Sequence, residues 1–520
     1  MRGVDHFCEM SWNMMAQSRG PAQPNLVQVL DTAPLNMRYW RAIGMITTAA
    51  MLDYFDFVIV GFIIAVIGPA WKLTFVETSV ILISAGIGSV VGSLVWGVLS
   101  DLIGRKFMLV CGIAICGSAS GAIAFVPDGA WVPLTALRFL VGLGMAGAGI
   151  GSITLAVELT PVRVRTVLAS SVAIPGSLGV FAAALLSSAL LPSIGWRGLA
   201  LVGFAPLVLV VPVLIWVPES ARWLMSRSRA EDARKAASSL LDLPVEHVAQ
   251  PPAIARQSGG ARLSEVYSEP QVFWFVALAW LGFSVASYGV LLWGPTILSL
   301  ILGVDASRAA QLYIAVSLAG LAGRIFFAVL PQWLGRRLAG QITGLGIALA
   351  LGAVSLFFQE SIGGFPLIVV LLCIGALFFD GGASNLGPLS AEVFPAHLAA
   401  RGSGVGQAAN GIGKILGPLV LAFIAGTDNL LTPQATIDAA GPAFAFLAGC
   451  GLLVWFAFAF LGVETHLKTL KLGDSVEDRL EVAGSAPSPD LLQGSADTGG
   501  PRAHAYTLGE LGGATAPTAR

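Results

Sequence analysis

The sequence is poor in charge. Only 11% of its 520 residues are Asp, Glu, Lys or Arg, whereas soluble domains average about a quarter. The 29 basic and 30 acidic residues give a formal net charge of −1, which argues against a nucleic-acid-binding protein. Hydrophobic residues make up 56% of the chain, so water cannot be its only solvent. This composition excludes a soluble enzyme and predicts an all-α protein that crosses a lipid bilayer many times.

Motifs for metals, disulfides and nucleotides are also missing. The five cysteines are scattered, and no Cys-x-x-Cys pair or Cys/His cluster occurs. No Walker sequence is present, so nucleotide binding is not predicted. We therefore expect no cofactor and no metal site. The N-terminal residues lack the basic start and compact apolar core of a signal peptide, so we expect residues 1–42 to be a polar leader.

Long apolar segments dominate the rest of the chain. A helix of about 20 apolar residues crosses the roughly 30 Å hydrocarbon core of a bilayer. Two connectors are long and polar, the loop at 218–271 and the tail from 464 onward, and the tail has the composition of a disordered segment. Twelve segments are long and apolar enough to span, namely 43–67, 77–99, 107–126, 132–157, 166–191, 198–217, 272–299, 309–331, 340–359, 365–391, 403–425 and 441–463.

Basic residues in the connectors predict the orientation. Connectors that follow even-numbered spans carry fourteen Lys and Arg residues, and those on the opposite side carry three. Because cytoplasmic loops are enriched in Lys and Arg, both termini and the central loop are predicted to be cytoplasmic. The predicted divisions are a leader (1–42), a first six-helix bundle (43–217), the central loop (218–271), a second six-helix bundle (272–463) and a disordered tail (464–520).

Two sequence landmarks occur twice at nearly the same spacing. Residues 97–106 (GVLSDLIGRK) are followed 231 positions later by residues 328–337 (AVLPQWLGRR). The run Glu158-Leu-Thr-Pro returns 234 positions later as Glu392-Val-Phe-Pro. A near-constant offset predicts two six-helix halves in parallel repeat, which would meet around a central site and rock against each other.

These motifs resemble the major facilitator superfamily across residues 40–463. The loop at 97–106 and residues 138–144 (RFLVGLG) carry the superfamily resemblance. Residues 218–224 (PESARWL) are similar to the segment after the sixth helix of sugar-porter-like members. Residues 53–56 (DYFD) with Gly61-Phe62 resemble the first helix of the aromatic acid:proton and related metabolite:proton symporters.

The resemblance implies a proton-coupled symporter in the inner or plasma membrane. It would import a small organic acid, an aromatic carboxylate being one candidate, as a monomer that works by alternating access. Two alternatives stay open. A sugar or polyol porter fits residues 218–224, although a neutral sugar needs no pair of midplane carboxyls. A transporter-like nutrient sensor would bind a partner through the central loop and tail, which lack aromatic or acidic docking motifs.

Charged residues inside a span are costly and therefore predict function. Asp53 lies about 15 Å deep in the first span, and Asp56 follows one turn later on nearly the same face. Burial and mutual repulsion favour proton uptake by such a pair. Arg138 in the fourth span keeps its charge, and Asp53 or Asp56 is its predicted partner. The alternative is that these groups form a static network.

The second half supplies candidate substrate contacts. Asp380 and Lys414 lie near the midplane of the tenth and eleventh spans, and Lys414 would pair with a substrate carboxylate or neutralise Asp380. Counting three acids against two bases leaves one carboxyl to bind one proton. The other candidates, each of which is also explained by interhelical packing, are Tyr288, Trp293, Asn385, Gln407 and Asn410.

Charged residues at the cytoplasmic ends of the helices predict an inner gate. The resemblance implies that they form ion pairs that hold the cytoplasmic side closed. Gln332 stands where the first copy of the loop has an acid, so the second half of the gate is predicted to be weaker or asymmetric. The gate candidates are Asp101, Gly104, Arg105, Lys106, Glu158, Arg165, Glu219, Arg222, Arg336, Glu392 and Arg401.

Overall fold

The computed structural model of the protein describes residues 25–162, 164, 174–249, 267, 269–394 and 398–464. Helices make up nearly all of this part of the chain. In the first half and the central loop these are α1 (Leu26–Thr32), α2 (Met37–Ala70), α3 (Phe75–Ile103), α4 (Arg105–Ala122), α5 (Trp131–Leu159), α6 (Ile174–Leu201), α7 (Val210–Trp216), α8 (Ala221–Ser226) and α9 (Ala230–Leu241). In the second half they are α10 (Pro270–Leu302), α11 (Ala306–Val329), α12 (Pro331–Leu334), α13 (Arg336–Phe357), α14 (Leu367–Phe379), α15 (Ala383–Glu392), α16 (Ala399–Ala425) and α17 (Pro433–Phe456). The two-residue strands Ser361–Ile362 and Phe365–Pro366 form a small antiparallel hairpin.

The described residues contain eleven helical stretches that are long and apolar enough to cross a membrane. One of them, Ile174–Trp216, has 43 residues, which is about twice the length that a bilayer core requires. It is interrupted at Gly195, where φ is 66°. This interruption lies between the predicted fifth and sixth spans, so the stretch provides two crossings. The prediction of twelve spans is therefore confirmed.

Two spans differ most from the predicted boundaries. The tenth was predicted as one helix over 365–391, but it is split into α14 and α15, which are separated by Asp380, Gly381 and Gly382. The first begins at Met37 instead of residue 43, because the Asn36 side chain accepts a hydrogen bond from the Tyr39 N–H at 2.8 Å and caps the helix.

The two halves contact each other closely at one end. Thr296 on α10 donates to the Gly61 carbonyl on α2 at 3.2 Å, and Ser79 on α3 donates to the Pro418 carbonyl on α16 at 3.1 Å. A Cβ at Gly61 would lie 2.6 Å from the Leu292 carbonyl oxygen, so glycine is needed for this approach. Towards the opposite end of α3, Leu94 and Val98 are exposed. The halves are thus joined at the end that the predicted orientation places outside the cell.

The leader and the central loop pack together. Helix α1 buries Leu26 and Leu30 in an apolar cluster that includes Trp223 of α8 and Leu240 of α9. Asp31 pairs with Arg222 at 2.5 Å. Part of the predicted polar leader is therefore a folded helix. Residues 1–24, 250–266 and the tail from 465 lie outside the described residues.

Candidate functional site

Asp53 and Asp56 lie on α2 in different surroundings. Asp53 is 7% exposed and interacts electrostatically with Lys414 of the second half. Asp56 is fully buried. Its two carboxyl oxygens accept hydrogen bonds from α4, Oδ1 from the Ser120 hydroxyl at 3.1 Å and Oδ2 from the Cys116 thiol at 3.4 Å. Asp53 is therefore the carboxyl that faces the other half, and Asp56 belongs to the interior of the first.

Arg138 is fully buried on α5 next to this segment of α2. Its guanidinium donates to two main-chain carbonyls, that of Asp56 at 2.8 Å and that of Phe57 at 3.2 Å. The prediction that Arg138 forms a side-chain ion pair with Asp53 or Asp56 is therefore wrong. Ser120 and Cys116 donate to the carboxyl oxygens of Asp56, and Arg138 donates to the main chain beside them.

A buried ion pair in the second half was missed by the sequence analysis. Arg324 on α11 contacts Asp380 Oδ1 through Nη2 at 2.7 Å and Nε at 3.0 Å. The other oxygen of Asp380 accepts from the Ser177 hydroxyl of the first half at 2.5 Å. Arg324 also lies over the Tyr54 ring, with 5.5 Å between Cζ and the ring centroid. Among the described residues, three basic side chains within the spans (Arg138, Arg324 and Lys414) thus balance three acidic ones (Asp53, Asp56 and Asp380), so the predicted surplus of one carboxyl is wrong.

Lys414 on α16 has aromatic neighbours. Its Nζ is 5.5 Å from the ring centroid of Phe57 on α2 and 5.4 Å from that of Tyr288 on α10. No carboxylate of the described residues lies within ion-pair distance of this nitrogen. The alternative in which Lys414 neutralises Asp380 is therefore wrong, because Arg324 takes that place. Both rings and the cation stand between the two halves.

The other substrate candidates do not all meet at this centre. Asn410 accepts from Ser284 at 2.9 Å and donates to the exposed Gln407 at 3.4 Å, so both belong to the same face of α16. Trp293 donates at 2.9 Å to the Pro418 carbonyl, which also accepts from Ser79 where the two halves meet. Asn385 donates to the Arg336 carbonyl at 3.0 Å and so belongs to the predicted inner gate.

The gate residues of the first half hold the turn between α3 and α4. The Glu219 carboxylate accepts from the main-chain N–H groups of Arg105 at 3.0 Å and Lys106 at 3.1 Å. Arg105 Nε lies 3.6 Å from Glu158. Gly104 has a φ of 98°, and a Cβ there would lie 2.3 Å from Glu219. The glycine of this motif therefore makes room for the capping carboxylate.

The second half has the same arrangement through a residue that the sequence analysis missed. Glu464 accepts from the N–H groups of Arg336 at 3.0 Å and Arg337 at 3.1 Å. Arg336 pairs with Glu392 at 2.5 Å. The expectation of a weaker second half is therefore corrected, because Glu464 caps the loop as Glu219 does. The signal was available, since both acids closely follow the last span of their half.

Two gate candidates cannot be placed in full. Arg165 and the side chain of Asp101 lie outside the described residues. Arg401 lies near the start of α16. Arg222 interacts with the leader through Asp31, a contact that no motif indicated.

Residues 46–418 match the family model of the Major Facilitator Superfamily. The chain belongs to the major facilitator superfamily. It is therefore a membrane transporter and not an enzyme, and the predicted fold of two six-helix bundles is confirmed.

Several of the similar proteins are named as transporters. The chain is 28% identical to the niacin transporter NiaP of Acinetobacter baylyi over 86% of this chain and 99% of the relative. It is 28% identical to the 4-hydroxybenzoate transporter PcaK of Pseudomonas aeruginosa over 81% and 94%. A crystal structure of a D-xylose–proton symporter has the same fold, with a TM-score of 0.65 and 19% identity over 83% of this chain and 99% of that one.

Proposed function

We propose that this transporter is a proton-coupled symporter that imports a small aromatic carboxylate. The main support is Lys414, whose ammonium group lies near the rings of Phe57 and Tyr288 and has no carboxylate of the described residues within ion-pair distance. An aromatic acid would place its carboxylate on the ammonium group and its ring against these side chains. Gln407 and Asn410, on the same helix, are candidate contacts for further polar groups of the substrate.

Asp53 supplies the coupling. When ionised, it interacts with Lys414 and competes with a substrate carboxylate for the same cation. When protonated, it leaves the full charge of Lys414 to the substrate. Proton and anion would therefore bind together, as import driven by a proton gradient requires. Asp56, one turn further along α2, is the second proton-binding carboxyl of this proposal, and Arg138 on α5 completes the proton-coupling group.

The substrates named for the relatives support this class. Niacin and 4-hydroxybenzoate are both aromatic carboxylates, and the relatives named for them align with more than four fifths of this chain. Residues 218–224 are instead similar to sugar-porter-like members. A sugar, however, gives the half-buried Lys414 no counterion, so we favour the acid.

The distribution of basic residues supports an orientation with both termini and the central loop in the cytoplasm, fourteen cations lying on that side and three on the other. We place the protein in the inner or plasma membrane as a monomer.

Uptake into proteoliposomes tests the proposal. Labelled nicotinate or 4-hydroxybenzoate should accumulate under an imposed inward proton gradient, whereas D-xylose should not. Asp56→Asn should abolish accumulation, because it removes a carboxyl that binds the coupled proton. Asp128→Asn is the matched control, since Asp128 is exposed in a connector and pairs with Arg197. Gradient-driven uptake of xylose, or undiminished accumulation by Asp56→Asn, would refute the proposal.

A further inference from the structure

The proton site proposed for Asp56 is enclosed by the first half. The residue is fully buried, and its hydrogen-bonding partners come from α4 and α5. Asp53, by contrast, is close to Lys414 on the other half. The two aspartates are neighbours on one helix but face different groups. The groups that set the proton affinity of the Asp56 carboxyl therefore lie in the interior of the first bundle.

Each carboxyl oxygen of Asp56 has its own neutral donor. The Ser120 hydroxyl points to Oδ1 and the Cys116 thiol to Oδ2. An ionised carboxylate accepts both hydrogen bonds, whereas a protonated carboxyl must use one oxygen as a donor. Hydrogen bonds of this kind favour the charged form. The two donors therefore oppose the burial that favours the protonated form.

Among the described residues, the charged groups around Asp56 donate no hydrogen bond to its carboxyl oxygens, so the two neutral donors stabilise its ionised form. Arg138 interacts electrostatically with the carboxyl but gives its N–H groups to main-chain carbonyls. Asp53, on the same helix, interacts electrostatically with both Asp56 and Lys414. Cys116 also interacts electrostatically with Asp56 and is itself one of the two donors.

We propose that Cys116 and Ser120 are positioning residues that set the proton affinity of Asp56 and, through it, the pH range of transport. This inference rests on the proposed proton symport. Loss of either donor makes Asp56 hold its proton to higher pH. Replacement of the thiol by a hydroxyl, which is the stronger donor, has no such effect or the opposite one.

The test is the pH dependence of proton-driven uptake of 4-hydroxybenzoate in proteoliposomes. Cys116→Ala and Ser120→Ala should each move the midpoint of the profile to higher pH by about half a unit to one unit. The double variant should move it further, whereas Cys116→Ser should leave the midpoint unmoved or move it to lower pH. Cys111→Ala is the matched control, because Cys111 lies on α4 but packs in a different cluster, with Trp96 and Met108.

The possible outcomes distinguish a role of Cys116 and Ser120 in packing from a role in setting the proton affinity of Asp56. A lower maximal rate with an unmoved midpoint in both alanine variants means that the two side chains only fill space, and it overturns the inference. An equal shift in Cys111→Ala overturns it as well. If Cys116→Ala fails to fold, Ser120→Ala and Cys116→Ser still decide the question. Absence of proton-driven uptake in the unmodified protein is a different result, because it refutes the proposed function itself.

Discussion

In the proposed site, Lys414 would determine which charge the substrate carries. Lys414 is half-buried beside two aromatic rings, and partial exclusion of water strengthens the attraction of its cation for an anion. A neutral analogue of the same shape gains only the contacts with the rings. The residue should therefore distinguish an acid from its amide.

Lys414→Gln should weaken the binding of 4-hydroxybenzoate about tenfold or more while changing that of 4-hydroxybenzamide little, because only the acid loses a charge-assisted hydrogen bond. Calorimetric titration of the purified protein measures both affinities. Lys414→Arg should retain part of the preference. Lys72→Gln is the control, since Lys72 is an exposed lysine next to α2. Equal losses for acid and amide would contradict the assignment.

The sequence predicted which charged residues lie within the spans better than it predicted which residues they pair with. Asp53, Asp56 and Arg138 were found because a charge in an apolar span is conspicuous, and Arg324 was missed although the same signal was present within 309–331. The pairing of Arg324 with Asp380 was not predictable, because it depends on how α11 and α14 are rotated about their axes. The same reason explains why Asn385 and Trp293 lie away from the centre.

At the scale of helices, the Arg324–Asp380 pair joins α11 to the end of α14. Ser177 of α6 binds the same carboxylate, so three helices from both halves meet at one acid. Breaking a buried pair by removing one partner is more costly than replacing both, since a single change leaves one charge without compensation.

Arg324→Gln and Asp380→Asn should each lower stability by about 3–5 kcal/mol, and the double variant should recover a large part of that loss. Thermal unfolding of the three variants in detergent provides the comparison. The exposed pair formed by Arg229 and Asp232 is the control, where neutralisation should cost about 1 kcal/mol or less. Additive losses at 324 and 380 would mean that the two side chains do not act as a pair.

The apolar composition of the chain predicted the boundaries of the helices only in part. Twelve apolar segments were sufficient to predict the spans, because a bilayer imposes a length on each of them. The break between α14 and α15 was not predicted, although Gly381 and Gly382 stand there. A Cβ at Gly381 would lie 2.1 Å from the Leu377 carbonyl oxygen, so local packing explains these glycines.

At the scale of the whole molecule, two repeated motifs were enough to predict two halves, because duplicated segments with one offset fold alike. Sequence could not predict which end of the halves is closed. That depends on contacts such as Thr296 with Gly61, which join residues far apart in the chain.

The orientation can be measured by labelling with a membrane-impermeant maleimide in intact cells. In a variant whose five cysteines are replaced by serine, Arg308→Cys should react, because its connector is predicted to face outward. Ala230→Cys in the central loop should react only after the cells are opened. Both positions are exposed, so access to the reagent is matched. Labelling of Ala230→Cys in intact cells would show that the central loop lies outside and that the predicted orientation is wrong.

Glu464 limits how far the chain can be shortened. Its carboxylate anchors the N–H groups of Arg336 and Arg337, yet it lies beyond the last membrane-spanning helix. A truncation that stops at residue 463 would retain every span and still release this turn. A protease site or affinity tag intended to replace the tail therefore belongs after Glu464.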